Sequence, residues 1–174
     1  MSVVTAAALA TAVFLAAPGS DPSQKATVAP EQTGCHVRGP LPDRRCTPGA
    51  SDRRVTQANI DGTICRRGYS KSVRPPTSVT RPIKRERIAA YGLPSDPRLY
   101  ELDHLVSLEL GGAPANPANL WPEAYVTSSG ARTKDRIENR LHSLVCRHEV
   151  PLRDAQRAIA TDWVRAYHRY VEPD

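Results

Sequence analysis

Four cysteines set the tightest limit on what this chain can fold into. Cys35, Cys46, Cys65 and Cys146 are even in number and contain no C-x-x-C pair, which argues against a zinc ribbon and for disulfides made in an oxidising compartment. Three pairings are open; proximity in sequence suggests Cys35 with Cys46, across a loop rich in Pro and Gly, leaving Cys65 with Cys146. In the chain-entropy account the long bridge contributes about 4 to 5 kcal/mol and the short one about 3. Such staples suit a lean core. The chain is 174 residues long, only 40% apolar, with one Phe and one Met, enough for one domain and too little for two well-cored ones.

Part of that apolar content sits in residues 1 to 17, MSVVTAAALATAVFLAA, which carry no charge. The run is short for a bilayer span and ends in small residues before Pro18, so it reads as a secretory signal peptide, although it lacks a positively charged start. Residues 18 to 34 are rich in Pro, Ser, Thr and Gln without periodicity and read as a disordered linker. A secreted, extracellular protein with no membrane anchor in its mature form is expected.

Net charge is +6, and 20 of the 24 basic residues are Arg, the side chain that forks onto phosphate or carboxylate. The charge is uneven: residues 35 to 90 carry +9 and residues 91 to 174 carry −2. A basic arm joined to an acid-bearing half fits a polyanion partner such as nucleic acid, although a solvated surface gives the same split.

Between Cys35 and about residue 80 turn signals alternate with short β-capable pieces such as TICRRGYSKSV, giving a loop-rich, disulfide-stapled arm that includes Arg66 and Arg67. Thr80 and Pro82 open a helix, IKRERIAAY, that Gly92 ends. ELDHLVSLELGG, residues 101 to 112, reads as a strand running through Val106, Leu108 and Leu110 to a glycine turn, and Asn119 to Trp121 enter a second strand. Helices follow over 131–149, with Ile137, Leu141, Leu144 and Val145 on one stripe, and over 152–171. The class is α+β.

Glu101, Asp103 and His104 place two carboxylates and an imidazole within four residues. Carboxylate oxygens suit a hard divalent cation, Mg²⁺ first with Mn²⁺, Ca²⁺ or Zn²⁺ as alternatives, and a neutral imidazole suits general-base work near pH 7. On a regular strand Asp103 and His104 point to opposite faces, so a joint site needs a bulge or a strand end. Trp121 and Trp163 fit core anchors better than base-stacking platforms, and Gly111 and Gly112 fit a turn better than a phosphate cradle. No P-loop, G-x-S-x-G or H-E-x-x-H motif is present.

The ordered run ELDHLVSLELGG, NLWPE and KDRIENRLH resembles the His-Asn-His (HNH) nucleases. More closely, it resembles secreted bacterial proteins with an LPD..CTPG, TIC, YG, DHL, LELGG, NLWPE, KD..EN.LH, C pattern over residues 41 to 167. The resemblance implies a ββα-metal finger over 101–149, with Asp103 as metal ligand, His104 as general base and Asn119 as the Asn that orients the histidine. The chain departs from the pattern at the third position, where Ser128, Ser129 and Gly130 stand in place of a His or Asn. Asp135, Glu138 or His142 on the following helix are the alternatives, and a Lys134 to Glu138 to His142 ladder is the structural reading of the same arc. Lys134, Arg132, Arg66 and Arg67 are candidates for phosphate contact. Two functions follow as expectations: a metal-dependent endonuclease with low sequence preference, DNA ahead of RNA, or a non-catalytic secreted module that binds polyanions.

Overall fold

The computed structural model describes residues 34–125 and 131–172, with side chains of 131 and 132 left aside. The expected signal peptide, most of the linker, Ser128 to Gly130 and the Arg132 side chain lie outside the described residues. The fold is mixed helix and strand: α1 (Tyr69–Val73), α2 (Thr77–Ala90), a two-stranded antiparallel sheet of β1 (Tyr100–His104) and β2 (Leu120–Ala124), then α3 (Ala131–Cys146) and α4 (Leu152–Tyr170). No described helix is long and apolar enough to cross a membrane.

The core forms where the helical stripes meet. Ile137, Leu141, Leu144 and Val145 of α3 are all buried, as are Ala155, Ile159, Trp163, Ala166 and Tyr167 of α4, and the two helices pack on each other. Each such aliphatic side chain contributes roughly 1.5–3 kcal/mol by leaving water. The disulfides are Cys35–Cys46 and Cys65–Cys146. The second joins the segment before α1 to the last turn of α3, and His142, one turn earlier, bonds through Nε2 to the Ile64 carbonyl at 2.9 Å.

Four local expectations are corrected. TICRRGYSKSV forms turns and the short α1, because its backbone groups pair locally, as in Cys65 N–H to Ile60 O and Arg66 N–H to Thr63 O. α2 starts at Thr77, so Pro82 lies inside it; the carbonyl its missing N–H leaves unpaired belongs to exposed Ser78. α3 ends at Cys146, and the N–H groups of His148 (φ 58°) and Glu149 close on the Val145 and Leu144 carbonyls. α4 is broken at Asp162 (φ −166°, ψ 94°), whose Oδ1 accepts from Arg165 N–H at 2.9 Å and so caps the second segment.

β1 also stops earlier than its alternating pattern suggests. It ends at His104, and Leu108–Leu110 is a 3₁₀ turn. The reason is distant in sequence: Asn119 presents its side-chain amide to Val106, accepting from Val106 N–H at 2.9 Å and donating to Val106 O at 2.9 Å. A side chain thus takes the groups a strand partner would have paired. Gly112 lets this happen, since a Cβ there would stand 1.8 Å from the Val106 oxygen and 2.8 Å from Asn119 Nδ2; neighbouring Gly111 takes φ 73°.

Candidate functional site

The register places Glu101 opposite Glu123 and Asp103 opposite Trp121, so the three acids share one face of the hairpin. Because His104 is the last residue of β1, its side chain reaches the same cleft as Asp103, which meets the strand-end condition set by the sequence. The cleft has a volume of about 100 Å³ and is lined by polar side chains: Arg74, Glu101, Asp103, His104, Ser107, Asp135 and Glu138.

His104 is 9% exposed, and its Nε2 lies 2.9 Å from the Pro114 carbonyl oxygen. That oxygen can only accept, so Nε2 carries the proton and Nδ1 keeps its lone pair. Burial lowers the imidazole pKa below its usual 6.5, against the raising effects of the Pro114 bond and of Asp103, so the ring is neutral at pH 7 and able to accept a proton. Asn119 is fully buried and holds Val106 as described; its Nδ2 also donates to Ala113 O at 3.2 Å, and its own carbonyl accepts from Leu105 N–H at 2.9 Å. These bonds fix the chain on both sides of the loop that carries His104 and Pro114.

Asp103 faces α3. Its Oδ2 accepts from Trp121 Nε1 at 3.0 Å and from Lys134 Nζ at 2.9 Å, and its Oδ1 lies 3.1 Å from the same ammonium. Lys134 is 1% exposed and donates also to the His104 carbonyl at 2.9 Å and to Glu138. Lys134, one of the candidates for phosphate contact, is therefore committed inside the protein. Burial lowers its pKa, but Asp103 and Glu138 outweigh burial and hold it well above the ordinary ammonium value. Burial, opposed by Lys134 and reinforced by Asp103, pushes Glu138 up to about 7. Glu101 is raised by partial burial and then by Asp103 and Asp135. The Lys134 to Glu138 step of the helical ladder exists, whereas His142 turns to Ile64.

No protein-family model, curated protein or solved structure matches this chain. The site's reading rests on its own residues.

Asp135 is exposed and lines the cleft; Arg66 and Arg67 are exposed and do not line it. The arm reaches the cleft instead through Arg74, at the end of α1. Sequence reading passed over three residues here: Arg74, Ser107 and Glu123. Ser107 is 6% exposed, lines the cleft, and its Oγ has no partner among the described residues. Glu123 is 4% exposed with Oε1 likewise unpartnered, and burial, with Asp103 next, pushes its pKa up to about 8. The signal for Glu123 was its place two residues after Trp121, directly across the hairpin from Glu101 on the same face.

Among the described residues one set of three His, Cys, Asp or Glu side chains brings its ligand atoms within 4.8 Å of one another: Cys65, His142 and Cys146. It could hold a metal ion only after reduction, because its two sulfurs form the long disulfide and a disulfide offers no thiolate.

Proposed function

We propose that this chain is an HNH-type endonuclease that hydrolyses phosphodiester bonds in nucleic acid, with β1, β2 and α3 as its ββα finger and the cystine-stapled segment before α2 as a supporting arm. The observation that carries the reading is the His104 to Pro114 hydrogen bond at 2.9 Å. It leaves a neutral imidazole with a free Nδ1 in an acid-lined cleft, on a strand end held by Asn119. His104 Nδ1 takes the proton of a water whose oxygen bonds to phosphorus, while the bond from phosphorus to the leaving oxygen breaks and that oxygen takes a proton from solvent. Asp103, beside the ring, favours the imidazolium that forms, and Arg74 holds a non-bridging phosphate oxygen.

A hard divalent cation fits the donor set. The acids lining the cleft offer oxygen only, Lys134 neutralises Asp103 and Glu138 in part but not Glu101, and the buried Ser107 hydroxyl has an unused lone pair. Mg²⁺ or Mn²⁺, which keep several waters and need one or two carboxylates, suit this set better than Zn²⁺; Glu101 and Asp103 would hold the ion. When bound it supplies charge stabilisation at the phosphate and the leaving oxygen. The two cystines suit an oxidising, extracellular setting.

One observation favours the second reading, a polyanion-binding module without catalysis: both Asp103 oxygens already accept protein hydrogen bonds. Incubating the oxidised protein with plasmid DNA and with RNA, in Mg²⁺, Mn²⁺ or EDTA and beside His104→Ala, separates the two. The nuclease reading expects metal-dependent cleavage lost in His104→Ala. Cleavage that survives both chelation and the substitution overturns the mechanism, and salt-sensitive binding without cleavage under either metal establishes the binding module.

A further inference from the structure

Glu101 and Leu102 line a second cavity besides the cleft: an open groove of about 710 Å³ between the start of α2 and the end of β2, walled by Thr80, Arg81, Lys84, Arg98 and Tyr125. Arg81 and Lys84, one turn apart on α2, make no ion pair and no side-chain hydrogen bond with a described residue, whereas Arg98 is held by Asp96 at 2.9 Å. Tyr125 is 62% exposed at the end of β2, and its ring stacks on no described side chain. α2 opens at Thr77 with no side chain capping its first turn, and Thr77 lines the same groove; such a helix end favours anions.

We infer that this groove binds a single-stranded polynucleotide, with phosphates on Arg81 and Lys84 and an unstacked base on Tyr125, and delivers the strand past Glu101 to the His104 cleft; the direction of delivery rests on the nuclease reading. Two free cations and a hydroxyl on one helix face match the repeating negative charge of a sugar-phosphate chain. The exposed ring selects strandedness, because bases inside a duplex already stack on both faces and only unpaired ones offer a face to an aromatic side chain. No Tyr, Trp or Phe lines the cleft among the described residues, so base stacking falls to Tyr125 in the groove.

The test is fluorescence anisotropy of labelled 12-nucleotide single strands, DNA and RNA, and of the matching duplexes, with the oxidised chain carrying His104→Ala in EDTA so that nothing is cut. The expected result is single strands bound about tenfold or more tighter than duplex. Tyr125→Ala should weaken single-strand binding about tenfold and leave duplex binding unchanged, with Tyr125→Phe close to the parent. Arg81→Ala/Lys84→Ala should weaken every nucleic acid and reduce the logarithmic salt slope by about one to two. Duplex bound as tightly as single strand, or Tyr125→Ala without effect, overturns the proposal. Failure of the nuclease reading looks different: single-strand binding stays dependent on Tyr125 while the His104 protein cuts nothing in Mg²⁺ or Mn²⁺.

Discussion

Glu123→Gln should make the protein more stable at alkaline pH, an unusual outcome for a substitution in a buried site. Glu123 is 4% exposed, has an unpartnered Oε1, and has its pKa raised from 4.5 to about 8, by burial first and by the Asp103 charge next. Below about pH 4.5 the carboxyl is protonated in folded and unfolded chains alike and pH has no effect through it. As pH rises from there to about 8, the unfolded chain releases the proton first, so ionisation favours unfolding and stability falls; above about 8 the loss levels off. A difference of about 3.5 units at 1.36 kcal/mol each sets a ceiling of roughly 5 kcal/mol on this loss. Gln keeps the shape and cannot ionise. Urea denaturation of both proteins from about pH 5 to pH 9, with disulfides intact, should show near-equal stability at the acid end and Glu123→Gln ahead by about 3 to 4 kcal/mol at pH 8, by the same proton linkage. Parallel curves, or a variant less stable at pH 8, would show that the carboxylate is ionised and paired, and the account of the hairpin's charge would be wrong.

Lys134→Met leaves Asp103 and Glu138 facing each other without their shared cation and should cost about 3–5 kcal/mol in urea titrations, with the loss smaller at low pH where the acids are protonated. Asn119→Ala strips the partners from Val106 N–H and C=O and should cost about 2–4 kcal/mol, lowering any cleavage rate as well because the loop carrying Pro114 is released; cleavage assays and melting curves read the two effects separately. Gly112→Ala drives a Cβ into the Val106 carbonyl and should destabilise by about 3 kcal/mol or more, visible as loss of soluble folded protein. Replacing Cys65 and Cys146 together by Ser should cost about 4–5 kcal/mol, against a smaller loss of about 3 for the Cys35, Cys46 pair, both measured as shifts in urea midpoint.

The helical core was legible because α3 and α4 carry their apolar residues on one stripe, and of the three disulfide pairings left open the structure has the one that proximity in sequence suggested. What the sequence did not disclose came from contacts between distant residues. Leu108 and Leu110 continue the alternation of β1, yet the strand ends at His104 because Asn119 pairs with Val106. Lys134 looks like a surface cation beside Glu138 on a helical wheel; only the approach of β1 turns it into a buried ion bonded to Asp103 and the His104 carbonyl. The Arg-rich arm reaches the cleft through Arg74, whereas the Arg66 and Arg67 that the sequence singled out do not line it.

The placement of charge couples the two halves of the proposed function. The cleft holds Glu101, Asp103, Asp135 and Glu138 against Lys134 and Arg74, so at neutral pH an approaching phosphate meets excess negative charge there. The cations that attract it, Arg81 and Lys84, stand outside on α2. At about 4 Å and an effective dielectric near 20, each unneutralised carboxylate opposes a phosphate charge by roughly 4 kcal/mol, more than one exposed cation on the groove returns. On the proposed function, a polynucleotide would therefore rest in the groove without a divalent ion, and its phosphate would enter the His104 cleft only once such an ion neutralised Glu101 and Asp103. Binding should then persist in EDTA while cleavage depends on metal steeply, and Mn²⁺ should tighten polynucleotide binding by the same factor as polynucleotide tightens Mn²⁺ binding.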